Sequence, residues 1–156
     1  YYRQQAEQGY AIAQNNIGIA YQNGHGVKQD YTHAKYWFEL AAEQGYADAQ
    51  LNLGLLYYDA KQDKDYIQAF NWFQKAAEQD LVDAQYYISV MYRNGQGVEQ
   101  SCSQAINWLR KAAEQGFVDA QYTLGFQYHQ GKGVKQDYAQ AEHWFRNAAT
   151  QQLNHG

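Results

Sequence analysis

The sequence predicts an all-α chain, a solenoid of antiparallel helix pairs, on three observations. A ten-residue phrase returns at a steady interval: QAEQGYAIAQ at 5–14, AAEQGYADAQ at 41–50, AAEQDLVDAQ at 76–85 and AAEQGFVDAQ at 112–121. The four tryptophans, Trp37, Trp72, Trp108 and Trp144, are spaced 35, 36 and 36 residues apart. Proline is absent, and the apolar residues between the phrases fall at helical rather than strand spacing. A period of this length marks an array whose unit is one helical hairpin, too small to bury its apolar stripe except against the next copy.

The tryptophan-bearing helix, called B, is the clearest element. Alanine stands three residues before each tryptophan (Ala34, Ala69, Ala105, Ala141), and a large apolar residue follows it (Phe38, Phe73, Leu109, Phe145). An alanine pair comes next: Ala41-Ala42, Ala76-Ala77, Ala112-Ala113 and Ala148-Ala149. These positions form one stripe on a helix, and Trp108, central in an interior repeat, is expected to sit in the core. Asp30, Asp65, Ser101 and Asp137 suit the N-cap, and Gln68, Gln104 and Gln140 three positions on resemble a capping box. Gly9, Gly45 and Gly116, with Asp80 in the odd copy, suit a left-handed C-terminal cap.

The partner helix, A, opens on Ala13-Gln14, Ala49-Gln50, Ala84-Gln85 and Ala120-Gln121. Ile17, Leu53, Ile88 and Leu124 follow one turn later, then a very small residue (Gly18, Gly54, Ser89, Gly125), then Tyr21, Tyr57, Tyr92 and Tyr128. A glycine inside a helix costs ~1 kcal/mol against alanine, so its return in register implies a neighbour that needs the room. Asp48, Asp83 and Asp119 fall in the first turn, where the helix dipole favours negative charge.

Between A and B lie NGHGVKQDY (23–31), NGQGVEQSC (94–102) and QGKGVKQDY (130–138), in which glycines stop helix A and the valine plugs the end of the pair. The second copy has DAKQDKDY (59–66), one residue shorter and free of glycine. It is expected to take its own path, with Lys61 and Lys64 open to protease. The boundaries follow: the end of a truncated helix B at 1–9, repeats at 10–45, 46–80, 81–116 and 117–152, and a tail at 153–156.

These residues resemble the Sel-1-like repeat, a relative of the tetratricopeptide repeat. Its pattern runs A-x-Q-G-x-x-x-A-Q-x-x-L-G-x-x-Y, then G-x-G-V, then A-x-x-W-[FYL]-x-x-A-A, and the match spans the chain. It departs at Ser89, at Asp80, in the loop at 59–66, and at Cys102 where Tyr31, Tyr66 and Tyr138 stand elsewhere. One branch of the family carries paired cysteines in each repeat; a lone Cys102 sets this chain apart from it. The resemblance implies a right-handed α-α superhelix and a bacterial adaptor that binds proteins or peptides. Periplasmic, secreted and cytoplasmic placements all remain open. Tyr1 and Tyr2 fall in the columns of Trp37 and Phe38. The chain is therefore expected to start inside a helix B, with further repeats in the parent protein. Self-association through the severed ends stays open.

Composition narrows the partner. A formal charge of −4 with no run of Lys or Arg argues against nucleic acid, and no stretch approaches the ~20 apolar residues of a membrane span. The G-x-G loops join helix to helix and lack the lysine and strand context of a phosphate cradle. His25, His33, His129, His143 and His155 form no H-E-x-x-H or i, i+4 pair, and no S-x-x-K occurs. The acids recur with the array and read as structural, and Cys102 as an inert, half-buried thiol. No catalytic residue, metal or cofactor is expected, and the chain reads as a non-enzyme.

The sixteen tyrosines point to where a ligand would go. The helix A column, the three that open helix B, and Tyr10 and Tyr46 at the joints read as packing. Tyr36, Tyr58, Tyr86, Tyr87 and Tyr122 are not demanded by the repeat. By resemblance to tetratricopeptide arrays, the face of helix A opposite its buried stripe lines a concave groove. That face carries Asn15, Leu51, Tyr86 and Tyr122, then Ile19, Leu55, Val90 and Phe126, then Gln22, Tyr58, Arg93 and His129. Apolar and aromatic residues edged by Arg93 and His129 suit a peptide or protein segment. The Ile19 column has a second reading, packing of helix A on helix A. Two other functions stay open: a glycan or small-molecule module, since aromatics also stack on sugar rings, and a purely structural spacer.

Overall fold

The computed structural model describes residues 2–60 and 63–155. Among these it holds nine α-helices and no strand. The helices divide between two compact units, Tyr1–Leu81 and Val82–Gly156.

The first unit contains α1 (Tyr2–Glu7), α2 (Ala11–Asn23), α3 (Tyr31–Glu43), α4 (Ala47–Asp59) and α5 (Asp63–Glu78). Helices α2 and α4 are of type A; α1, α3 and α5 are of type B. Asp30 caps α3, accepting from the backbone N–H groups of Thr32 and His33 at 3.0 and 3.2 Å. Ala34, Phe38, Ala41, Ala42, Ala49 and Leu53 form its main cluster, with Tyr21, Tyr57 and Trp72 packed around it. Ala6 of α1, Ala13 of α2 and Trp37 of α3 make a second cluster.

The second unit contains α6 (Val82–Asn94) and α8 (Val118–Gln130) of type A, and α7 (Cys102–Glu114) and α9 (Tyr138–His155) of type B. Ser101 caps α7 through the N–H of Gln104, and Asp137 takes the N–H of Gln140 at the start of α9. Ile106, Leu109, Ala112, Ala113, Ala120, Leu124 and Trp144 form one core cluster, with the loop residue Val134 packed against it, and Ala84, Ile88 and Met91 of α6 are fully buried as well.

The room left by the small residues of helix A has a specific occupant. A Cβ built on Gly18, Gly54 or Gly125 would lie 2.6–2.7 Å from the ring of Phe38, Phe73 or Phe145. In α3, α5 and α7 the residue after tryptophan therefore lies deeper than the tryptophan itself, whereas in α9 Trp144 is buried and Phe145 half-buried. Phe38 and Phe73 are 0% exposed, while Trp72 and Trp108 are half-buried. This corrects the placing of Trp108 at the core centre; its ring instead carries the Lys111 ammonium at 4.4 Å. Where the aromatic shrinks to Leu109, the glycine grows to Ser89. Both line a cavity of about 20 Å³ with Ala105 and Ile106.

Every joint turns through a left-handed residue: Gly9, Gly45 and Gly116 at φ +92°, +88° and +88°, and Asp80 at +65°. The three glycine loops share one brace. Gln29, Gln100 and Gln136 donate their amides to the carbonyls of Gln22, Arg93 and His129 at 2.7–2.9 Å. Gln29 and Gln136 also donate to the hydroxyls of Tyr31 and Tyr138. Those two tyrosines are 58% and 62% exposed, and Tyr10 is 58%, so these three brace or flank loops rather than fill the core.

Two further expectations change. Helix α5 runs from Asp63, so Asp65 lies inside the helix rather than ahead of it as an N-cap. Cys102 is exposed rather than half-buried, because it stands at the first position of α7. Lys61, named for proteolysis, and Tyr1 lie outside the described residues, as does the side chain of Lys64.

Candidate functional site

Each unit carries its own stretch of A-helix face. In the first, Leu51, Leu55 and Tyr58 line up along α4, all half-buried. The Tyr58 ring lies 5.4 Å from that of Tyr66 and 6.2 Å from that of Phe73. A recess of about 770 Å³ lies elsewhere in this unit, near the loops, lined by Tyr31, Lys35, Tyr57 and Asp59 among others. The Tyr57 hydroxyl beside Lys35 holds that ammonium above the usual lysine range.

In the second unit the face comprises Tyr86, Val90 and Arg93 on α6 and Tyr122, Phe126 and His129 on α8. The Tyr86 ring is 5.2 Å from Phe117 and packs against the core, so this tyrosine has a structural use that the repeat pattern alone conceals. Tyr122 donates its hydroxyl to Gln152 Oε1 at 2.9 Å. Phe126 is 55% exposed and meets the Phe145 ring edge-on at 5.0 Å. His129 stands edge-on to Tyr138 at 5.2 Å. A recess of about 470 Å³ opens between His129, Tyr138, Ala141, Glu142, Phe145 and Arg146. The α9 side of this recess was missed by looking at helix A alone. Its signal was present in Phe145 and Tyr138, which the repeat places facing helix A.

The glutamine of each Ala-Gln pair also escaped notice, although it recurs without exception. Gln14, Gln50, Gln85 and Gln121 are 1–4% exposed. Gln14, Gln50 and Gln121 donate to the carbonyls of Ala6, Ala42 and Ala113 at 3.1–3.2 Å, stitching the start of helix A to the end of the preceding helix B. The oxygens of Gln14, Gln50 and Gln85 each face a second glutamine, the residue before the left-handed turn. Gln44 donates to Gln14 Oε1, Gln79 to Gln50 Oε1 and Gln115 to Gln85 Oε1 at 2.7–2.9 Å. Buried amides demand such partners, which is why a polar residue recurs inside an apolar joint.

Among the described residues no group of three or more His, Cys, Asp and Glu could hold a metal ion. Asp30 is the clearest perturbed acid. Its bonds to the His33 backbone and ring, then to Thr32, hold its carboxyl below the usual range.

The sequence profile of the Sel1 repeat matches four times in succession, at residues 11–46, 47–81, 82–117 and 118–153. The chain belongs to the Sel1 repeat family. Solved structures agree on the fold, the Sel1 α-helical solenoid. A protective antigen of uropathogenic Escherichia coli with an SLR fold is 40% identical over 96% of this chain, with a TM-score of 0.91. A Sel1 repeat protein of Oxalobacter formigenes is 32% identical over 96%, with a TM-score of 0.90. Cysteine-rich protein B of Helicobacter pylori is 25% identical over 82%, with a TM-score of 0.62, and 92% of it is covered. This chain spans 32% of the Escherichia coli protein and 62% of the Oxalobacter protein. A search of curated proteins by sequence finds no match. Sel1 repeat proteins are generally interaction scaffolds, and their repeats typically carry no catalysis. Among the described residues, no helix is long and apolar enough to cross a membrane.

Proposed function

We propose that this Sel1 array is a non-catalytic adaptor that binds a segment of another protein on the open faces of its A helices. The observation that carries the reading is Phe126, a large ring 55% exposed on the A-helix face. A recess that takes in His129 and Arg146 lies beside it. An exposed aromatic flanked by cationic and hydrogen-bonding groups is the composition of an interface centre, where truncating one residue costs ~2 kcal/mol or more. Tyr122 and Arg93 extend the face within the second unit; Leu51, Leu55 and Tyr58 form the corresponding stretch of the first. Tyr86 and Val90 support the face from its half-buried side.

The test is affinity capture with the intact chain, identification of what is held, and comparison of variants. Phe126→Ala with His129→Ala should weaken capture while helical circular dichroism stays unchanged, since both side chains are exposed. Changes at His25, Gln96 and Lys132, one in each glycine loop, should leave capture nearly intact. The opposite pattern would move the site to the loops. Recovery of glycans or small molecules alone would make the array a binding module of another class, and recovery of nothing specific would leave a spacer.

A further inference from the structure

We infer that the joint at the start of α8 is a second binding site, a socket for the carboxamide of a glutamine side chain presented by another polypeptide. Gln121 is 3% exposed and its Oε1 meets no hydrogen-bond donor among the described residues. The same oxygen of Gln14, Gln50 and Gln85 accepts a glutamine carboxamide from within the chain. In each case the donor immediately precedes a left-handed turn residue, Gly45, Asp80 or Gly116. The residue in register is Gln151, but Gln152 follows it where the repeat wants glycine. No turn forms, and α9 runs on as one helix to His155. Gln151 stays on that helix, close to Gly116, and makes no bond to Gln121.

The outcome is a recess of about 480 Å³ at the rung that the other joints fill themselves. Gln121 lines it with Glu114, Trp144, Asn147 and Thr150, and Gln151 stands at its wall beside Gly116, so a ligand would take the place at Gln121 Oε1 that Gln151 leaves open. This arrangement matches a carboxamide group by group. One amide N–H reaches Gln121 Oε1, as at the three filled rungs. Glu114, which lines the recess, supplies an acceptor for the other, and Asn147, whose amide nitrogen also meets His143 Nε2 at 3.3 Å, supplies a donor for the ligand's carbonyl. The side chain of Trp144 walls the path for the glutamine methylenes. A carboxylate ligand would set two acceptors against Gln121 Oε1 and Glu114, and an apolar one would leave the buried oxygen without a donor. The site is distinct from the A-helix face and does not depend on it.

The deciding experiment is a nuclear magnetic resonance titration of the intact chain with acetyl-Gly-Gln-Gly-N-methylamide. Counterpart peptides carry Glu, Met or Lys in place of Gln. The glutamine peptide should shift the Trp144 indole N–H and the Gln121 side-chain amide saturably. The Glu and Met peptides should bind at least about tenfold more weakly, the loss expected when a hydrogen bond to a buried acceptor is not made. Gln121→Met should abolish the shift; if that variant melts early, the peptide series on the unaltered chain decides alone. No shift at Trp144 with the glutamine peptide would overturn the inference. Equal binding of the Met peptide would do so too. Stronger binding of the Lys peptide would reassign the socket to an ammonium. Free glutamine binding as tightly as the peptide would exclude a polypeptide source.

Discussion

At the scale of single residues, the pairing of a small position on helix A with a large one on helix B explains both the regularity of the chain and its main exception. Gly18, Gly54 and Gly125 face Phe38, Phe73 and Phe145 at distances that leave no room for a methyl group. In the third repeat both partners differ together, as Ser89 and Leu109. Leu109→Phe alone is expected to destabilise by ~1–3 kcal/mol, the usual cost of overpacking. With Ser89→Gly added, most of that loss should return and the cavity of about 20 Å³ should fill. A double-mutant cycle from denaturant unfolding measures the coupling; additive effects would mean that the two side chains do not share one space. Asp30 gives a second prediction. Its folded-state pKa is depressed, so its contribution is complete above the ordinary aspartate range, near ~4, and is lost as pH falls through the lower folded value. The melting temperature of the natural chain should exceed that of Asp30→Asn at neutral pH, and the gap should close with acidification. A gap that stays constant to strongly acid pH would show that the charge contributes nothing.

At the scale of elements, helix identity and order were legible because each repeat writes the same capping, stripe and turn signals, and four copies reinforce one another. Single copies misled where a signal stood alone. Asp65 looks like a cap, but α5 begins at Asp63, two residues ahead of it. The tryptophan column drew attention by its rarity, yet the adjoining Phe38, Phe73 and Leu109 lie deeper, because burial follows helix geometry rather than residue size. Of the face residues, the sequence put His129 at the edge but left the Phe126 column divided between open face and helix packing; Phe126 is 55% exposed. The sequence had no way to show that Tyr86 leans on Phe117 across the joint. The glutamine rungs were written in every copy, but a polar residue in a repeated column reads as surface until its partner is seen. Asp80 offers the element-scale prediction. It holds φ +65°, where glycine is free of the Cβ penalty. Asp80→Gly should stabilise by about 1 kcal/mol, read from the denaturation midpoint, with the turn and both flanking helices unchanged. A loss of stability would mean that the Asp80 side chain contributes more than its backbone strain costs.

At the scale of the whole molecule, the sequence repeats and the packing divide the chain at the same kind of boundary, a joint between a helix B and the next helix A. One core cluster of the second unit draws on residues of that unit alone. Ile106, Leu109, Ala112, Ala113, Ala120, Leu124 and Trp144 pack with Val82, Tyr86, Phe117, Tyr128 and Val134, all of them after Leu81. Its joint is closed by the bond from Gln115 to Gln85 and by that from Gln121 to the Ala113 carbonyl, both internal. Repeat arrays owe their stability to each hairpin and its immediate neighbours, so a piece that keeps whole neighbouring hairpins keeps most of what holds it. A fragment of residues 82–156 is therefore expected to fold alone, with a helical circular dichroism spectrum and a cooperative thermal melt. Its modest size makes it marginal, and it should melt at moderate temperature. A shorter fragment, 118–156, loses Ile106, Leu109, Ala112 and Ala113 from the cluster at once and should show little helix in water. If both fragments are unfolded, the core of the second unit does not suffice for folding. If both are folded, a single hairpin is stable, and stacking is not what makes this sequence repeat.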